Sequence, residues 1–571
     1  VGGVAGGVAA GYASGILSGG SNQACGLNDA IGAGDDNAIY PNGGPDHESF
    51  IGAGEANSIY SNGFGGTYGA IIGAGNSNRV TAWDAGVVAG TYNTIGIAGA
   101  TGFIGAGDFN TVNAEFAFVG AGENNQAVGT DAFVGAGTQN TALQNAAVVS
   151  GTSNQARGPY SFIGAGSQNF AGLLIPGTST SNAFVGAGSN NEAVGNDAFV
   201  GAGSGNRAIS DYSFVGAGVK NVTGLTAFVG AGSQNNASGQ NSFAGAGYNG
   251  ISSGAGAFVG GGGMAFFQAG SKGSNTAAGT DAFAGAGDGN LAGTAQSVVT
   301  GGVSNRIISS TAGGSTGAID AAIGGGYENL IEATASGGAA YGVIAGGRAN
   351  VIAGVAGAVG GGAENAAAGS YSTVPGGSGN SATGVDSFAA GTKAGAKHNG
   401  TFVWSDDAGT AALNSTAQYQ FLARASGGFY LFSNAAATAG VKLAPGSGAW
   451  ASLSDRHMKT AIVPLDDAAI LAKVAALPVS TWSYTTERGV RHAGPMAQDF
   501  HAAFGLGEDD RHITSVDEDG VALAAIKGLY ERSKRERSRI RRAHEALRSQ
   551  QASMLRQIAA LAAKVDSLEE R

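Results

Sequence analysis

Phe118-Val119-Gly120-Ala121-Gly122-Glu123-Asn124-Asn125 is one copy of a phrase that recurs along most of this chain. It returns at Phe133 to Asn140, Phe184 to Asn191, Phe199 to Asn206, Phe214 to Asn221 and Phe228 to Asn235, with the asparagines about fifteen residues apart. Where the spacing grows to about twenty, from Asn37 to Asn57 to Asn78, the extra residues fall between copies and leave the phrase intact. A unit this short cannot enclose a core alone, so copies must stack into a rod. Looser copies end at Asn22, Asn329, Asn365 and Asn380, and the array spans residues 1–393. Two stretches depart from the pattern, Tyr248 to Ile251 and Gly260 to Ala269, and read as loops or a kink.

Within a copy, Phe-Val or Phe-Ile is a very short strand, and the Gly pair permits a tight corner and close backbone approach. The part that follows, built around the Asn and a small Ala, supplies a second strand and a second corner. Two strands and two corners fit one coil of a parallel β-roll. An Asn at a fixed corner sets its amide against the amides of the coils above and below, as in stacked amide ladders. About 23 coils at roughly 4.8 Å each give a rod about 110 Å long. Phe at one position in each coil leaves an apolar stripe, which other copies of the chain would bury; this favours a homo-oligomer.

Composition narrows the class. Gly supplies 105 of 571 residues without the every-third-residue spacing of collagen. Charged residues are only 12% and hydrophobic ones 43%, which excludes a solvated disordered tail. The net charge of −11 argues against nucleic acid as a main partner. Cys25 stands alone, so no intrachain disulfide is available. No apolar run is long enough for a transmembrane helix. The chain opens at Val1-Gly2-Gly3, already inside the repeat, and reads as a processed or truncated product whose targeting segment, if any, is missing.

Past residue 393 the pattern changes. Thr401 to Asp406, Gln420 to Arg424 and Gly427 to Phe432 alternate like antiparallel strands of a small β connector over 394–451. A region of ordinary globular composition follows over 452–520, with a helix from Asp466 to Leu477, a strand from Val479 to Tyr484 and a helix from Met496 to Phe504. Over 521–571 the residues fall into heptads. Ile540, Leu547, Met554, Leu561 and Leu568 hold one seam position, and Ile558 and Val565 the other. Polar residues (Ser533, Arg537, His544, Gln551) occupy the middle of the seam, where they would fix register and strand number. The Arg-rich stretch from Lys534 to Arg542 is interleaved with Glu531, Glu536 and Glu545 and reads as the solvated face of a coiled coil. The expected architecture is therefore mainly β: a long parallel β-roll solenoid, a small β connector, then an α+β domain closed by a trimeric coiled coil.

Chemistry concentrates at Ser454-Asp455-Arg456-His457-Met458-Lys459, at the joint between rod and tail. A serine hydroxyl needs a base to attack a carbonyl, and a partly desolvated, neutral lysine can serve. Burial would have to lower the Lys459 pKa well below its usual value of about 10.4. Ser454 would then attack the carbonyl of Leu453, making Leu453–Ser454 the bond that is cut.

The Ser-Asp-x-x-x-Lys motif is followed in order by Arg491 to Phe500 and by Val516 to Lys527. Together these resemble the peptidase S74 domain, the C-terminal intramolecular chaperone of endosialidase-type phage tailspikes and bacterial tail-fibre-domain proteins. The resemblance implies a trimerising chaperone that removes itself by a Ser-Lys dyad, with Ser454 as nucleophile, Lys459 as base and Asp455 as the acidic residue behind the nucleophile. Gln498 fits the family's Ala-Gln pair without a catalytic role. His457 and His492 are read as structural imidazoles in preference to active-site neighbours. The repeat array resembles the head of YadA-type trimeric adhesins, a left-handed β-roll, although that family's coil is nearer fourteen residues. No membrane-anchoring barrel follows the coiled coil.

Rival signals are weak. The Gly-Ala-Gly phrases lack the Gly-Lys-Ser/Thr ending of a phosphate-binding loop. Asp35, Asp108 and Asp288 are too sporadic for a calcium-binding repeat, and no His/Cys/carboxylate cluster has zinc spacing. No cofactor or metal is expected. The expected product is an extracellular, cell-surface or virion fibre, whose partners are two further copies of itself and a host-surface glycan or protein. Two competing readings are an uncut structural adhesin and, less favoured, a glycan-degrading tailspike with paired acids in a cleft.

Overall fold

A computed structural model describes residues 7–9, 12–40, 48–60, 67–173, 180–261, 273–310, 317–334 and 338–570. The chain divides into two compact units, Val1–Arg424 and Ala425–Arg571.

The first unit is a long parallel β-solenoid, and one coil explains the rest. Phe118–Val119 pairs in parallel with Phe103–Ile104 before it and Phe133–Val134 after it. Gln126–Ala127 pairs likewise with Thr111–Val112 and Thr141–Ala142. Repetition of this step yields two facing stacks of strands, one of them 25-stranded. Side chains alternate across a strand, so each two-residue strand sends one inward and one outward. Val119 and Ala127 are buried, while Phe118 and Gln126 point out. The interior is thus almost entirely one Ile, Val or Ala from each strand, with Thr223 and Ser252 as polar exceptions, which suits a thin coil. Strands this short hold because the ladder continues through the corner: Ala121 N–H donates to Gly135 O (3.1 Å) and Glu123 N–H to Gly137 O (2.9 Å).

The corner asparagine is fully buried and fully used. The Asn125 amide nitrogen donates to Ala121 O (3.0 Å) and Gly137 O (2.7 Å). Its Oδ1 accepts from the backbone N–H of Asn140 at 3.0 Å and from that residue's Nδ2 at 3.1 Å. The same backbone-to-amide bond links successive corners from Asn22 to Asn235 and from Asn275 to Asn380. Replacing Asn125 by alanine would orphan buried groups on its own coil and on the next, among them the Asn140 N–H, at about 1–3 kcal/mol each. The expected result is a lower urea midpoint, with hydrogen-exchange protection lost first at Asn140.

The second glycine of each Gly-Ala-Gly is obligatory. Gly122 has φ +110°, and a Cβ there would lie 1.9 Å from Gly137 O and 2.6 Å from Asn125 Nδ2. The other left-handed positions are filled mostly by ordinary residues, with glycine at a few such as Gly205 and Gly289. Asn124 precedes the ladder asparagine with φ 56°, and Asp131 turns the second corner with φ 56°. Asn and Asp tolerate this region better than most residues.

The outward phenylalanines form a column. From Phe162 through Phe184, Phe199, Phe214, Phe228, Phe243 and Phe258 to Phe283, successive rings stack with centroids 4.7–5.2 Å apart. Stacking covers the ring faces and leaves these phenylalanines half-buried.

Three expectations need correction or limits. The strands foreseen as antiparallel around Thr401 and Gln420 are parallel: Phe402–Ser405 pairs with Phe388–Thr392 and with Phe421–Arg424, continuing the solenoid. Alternation has the same period of two in both arrangements, so it could not distinguish them. The Phe388–Phe402–Phe421 stack, at 4.5 and 4.7 Å, carries the column onward. Tyr248 to Ile251 is neither loop nor kink. Gly250 N–H makes the same bond to Asn235 Oδ1 (2.8 Å) that the corner asparagine's backbone N–H makes in the other coils, and Ile251–Ser252 pairs as usual. Of the stretch Gly260 to Ala269, Gly260 and Gly261 end a regular strand, and the remainder lies outside the described residues.

The second unit begins with an antiparallel sheet of Phe429–Phe432, Gly440–Leu443 and Trp450–Ser452. Three helices follow: α1 (Asp467–Ala476), α2 (Ala497–Phe504) and α3 (Ser515–Glu569), with a hairpin of Ser480–Trp482 and His492–Gly494 between α1 and α2. Asp466 caps α1 by accepting from Ala468 and Ala469 N–H, and Pro478 follows its end. A small core of Ile470, Phe500, Val521, Ala524 and Ala525 joins the helices. Gly528 lets α1 approach α3, since a Cβ there would lie 2.3 Å from Asp467 O. Lys527 Nζ meets Asp467 Oδ2 at 2.7 Å beside it. That hydrogen bond raises the Lys527 pKa, so its contribution is full below the ordinary lysine range and is lost as pH climbs through the raised value. Among the described residues, no helix is long and apolar enough to cross a membrane.

Candidate active site

The strand Trp450–Ser452 delivers the chain to the site. Leu453 N–H donates to Gly440 O at 3.1 Å, so this strand is held up to the residue before the candidate nucleophile. A single 3₁₀ turn, Arg456–Met458, then reverses the chain. Asp455 caps it: its Oδ1 accepts from His457 N–H at 2.9 Å and lies 3.0 Å from His457 Nδ1. Lys459 N–H closes the turn on Arg456 O at 3.1 Å. The outcome is a separation of 2.6 Å between Lys459 Nζ and Ser454 Oγ.

Serine and lysine are therefore brought together, five residues apart, by a local turn. Asp455 adjoins the pair as a capping group, with no direct bond to either member among those described. His457 shares that cap and is exposed. His492 sits in the hairpin, with its ring 4.8 Å from Trp482 and its Nε2 3.1 Å from Glu487. These contacts account for His492 as a packing residue. Gln498, in the first turn of α2, borders a cleft with Trp482, Tyr484 and Arg511.

Both members of the dyad are exposed in the single chain, as is Leu453. The geometry for proton transfer is present.

The heptad seam lies on α3, which starts earlier than the seam, at Ser515, with Thr514 Oγ1 accepting from Asp517 N–H. Ile540, Leu547, Met554, Ile558, Leu561, Val565 and Leu568 are each more than half exposed. Sequence reasoning missed the docking of α1 on α3 through Gly528 and the Asp467–Lys527 pair. The Gly inside a helical pattern was the available signal, because an interior helical Gly usually marks close packing.

No curated protein matches the chain. Residues 454–505, which begin at the serine of the dyad and run to the end of α2, match the Peptidase S74 family, described as chaperone of endosialidase, so this chain carries that domain behind its β-solenoid.

Proposed function

We propose that the chain is one strand of a trimeric fibre on a cell surface or virion, whose C-terminal domain aligns three copies and then cuts itself away. The observation that carries this reading is the 2.6 Å contact between Lys459 Nζ and Ser454 Oγ at the first residue of the matched domain. In the proposed reaction, Ser454 Oγ attacks the Leu453 carbonyl carbon as its proton passes to neutral Lys459. The Ser454 nitrogen leaves with that proton, and an ester joins the two parts. Water then cleaves the ester, giving a Leu453 carboxylate and a free Ser454 hydroxyl.

The exposure of the dyad supports control by assembly. General-base attack by serine needs a water-excluded site, and here both side chains face solvent. Packing of further copies along the exposed α3 seam would bury neighbouring surface and dry the site. Cutting would thus await trimer formation. Loss of the aligning domain would leave the solenoid trimer kinetically trapped, because its register-setting part has gone.

Replacing both Leu547 and Leu561 by aspartate tests this link. The expected result is monomeric protein by sedimentation together with an uncut full-length band. A monomer that still cuts itself would refute assembly control, and a cut trimer would refute the role of the seam.

A further inference from the structure

The two outward columns of the solenoid differ in chemistry. In the stack that holds Phe118, the position in register with it is Gly, Ala, Val, Ile or Phe at each described coil from Gly15 to Phe421, with Thr373 as the exception. The opposite stack mixes Gln126 and Thr141 with the charged Arg79, Glu192, Arg207 and Arg306. Stacking protects the ring faces of the apolar column and leaves the edges bare: Phe50, Phe103 and Phe133 are still 41, 37 and 39% exposed. At roughly 60 Å² of bare edge each, the phenylalanines of the column present on the order of 900 Å² of apolar surface. A lone soluble chain seldom shows a patch above about 300–600 Å², and a stable interface takes about 800 Å² from each partner.

We propose that this column is the face along which copies of the chain meet, and that it holds three shafts together once the tail has gone. The inference rests on the reading of a trimeric fibre that cuts itself: loss of residues 454–571 takes the α3 seam with it, so a shaft that stays trimeric needs a contact face of its own. A second copy fits this face because it offers the same length and the same step of roughly 4.8 Å from coil to coil. An ordinary globular surface does not repeat that step. Column against column also buries no charge, whereas the opposite stack would have to bury its arginines. From Phe162 to Phe283, eight successive coils carry the same ring. A slip of one coil there sets Phe against Phe again. The column therefore supplies adhesion without alignment. Alignment has to come from outside it, and an aligning tail that is later removed supplies it.

The test uses the full chain with Cys25→Ser and one added cysteine, Ala147→Cys in the column or Thr141→Cys in the opposite stack, each carrying a nitroxide label. Both positions face outward and are half-buried. Double electron–electron resonance on the purified trimer is expected to give a shorter separation between copies from position 147 than from position 141, by roughly 10 Å or more, the spacing of facing sheets. Equal separations, or the shorter one from 141, overturn the proposal. Phe199→Lys combined with Phe214→Lys is the second arm, expected to leave cutting intact and the product of residues 1–453 monomeric by sedimentation. A trimeric product overturns the proposal, as does a monomeric chain that binds phosphatidylcholine vesicles and loses that binding with the same two lysines. Circular dichroism shows whether the double variant is folded; should it fail to fold, the label separations decide alone. Mass and sedimentation of the unsubstituted chain report the cut and the trimer separately, so a cut trimer with its closer labels at 141 rejects the column alone.

Discussion

Valine at position 122 is expected to break the solenoid locally and severely. A Cβ there would lie 1.9 Å from Gly137 O, at a φ of +110° that side chains rarely adopt. The obstructing atom is a backbone oxygen of the next coil, held by Glu123 N–H and Asn125 Nδ2, so no rotamer change relieves the contact. A loss of about 4–5 kcal/mol is expected, in the range reserved for overpacking and backbone strain. Because coils contact only their neighbours, the damage should spread a few coils and stop. Hydrogen exchange should rise from Glu123 to Gly137 while the coils around Asn350 keep their protection. Gly15→Ala is the control, since a Cβ at Gly15 meets nothing within 4 Å. Wild-type exchange in Gly122→Val would show that the coils are not packed as described.

Ser454→Ala and Lys459→Ala should each abolish cutting completely, because each removes one half of the only proton-transfer pair proposed for the step. Lys459→Arg is expected to be equally inactive, since a guanidinium stays charged and cannot accept the serine proton. Asp455→Asn should slow cutting and leave some activity, because an Asn can still cap the turn that Asp455 holds. A denaturing gel of each purified variant reads all four. Full cutting in Lys459→Ala would assign the base elsewhere.

Much of this was legible before any coordinates. The phrase from Phe118 to Asn125 specifies strand, corner and ladder at once, since only Gly fits at 122 and a short amide supplies two donors and an acceptor at 125. The dyad was legible too, because a turn of five residues can bring Ser454 and Lys459 together without help from distant parts of the chain. The path of residues 394–424 was not. Once Asn380 is passed, no asparagine marks the corner, and Ala394 N–H donates the last rung to Asn380 Oδ1. Gly250 hid its role the same way, since the ladder bond there is made by its backbone N–H, which leaves no residue type to read. The left-handed Asn124 and Asp131 were missed because positive φ was credited to glycine alone. The approach of α1 to α3 depends on a contact between residues some sixty positions apart, Asp467 and Gly528, which no local pattern encodes.

The most direct measurement is the mass and the sedimentation of the wild-type chain expressed whole. The account predicts two species, residues 1–453 and residues 454–571, with the larger one trimeric. A single uncut mass, or a monomer, would contradict it.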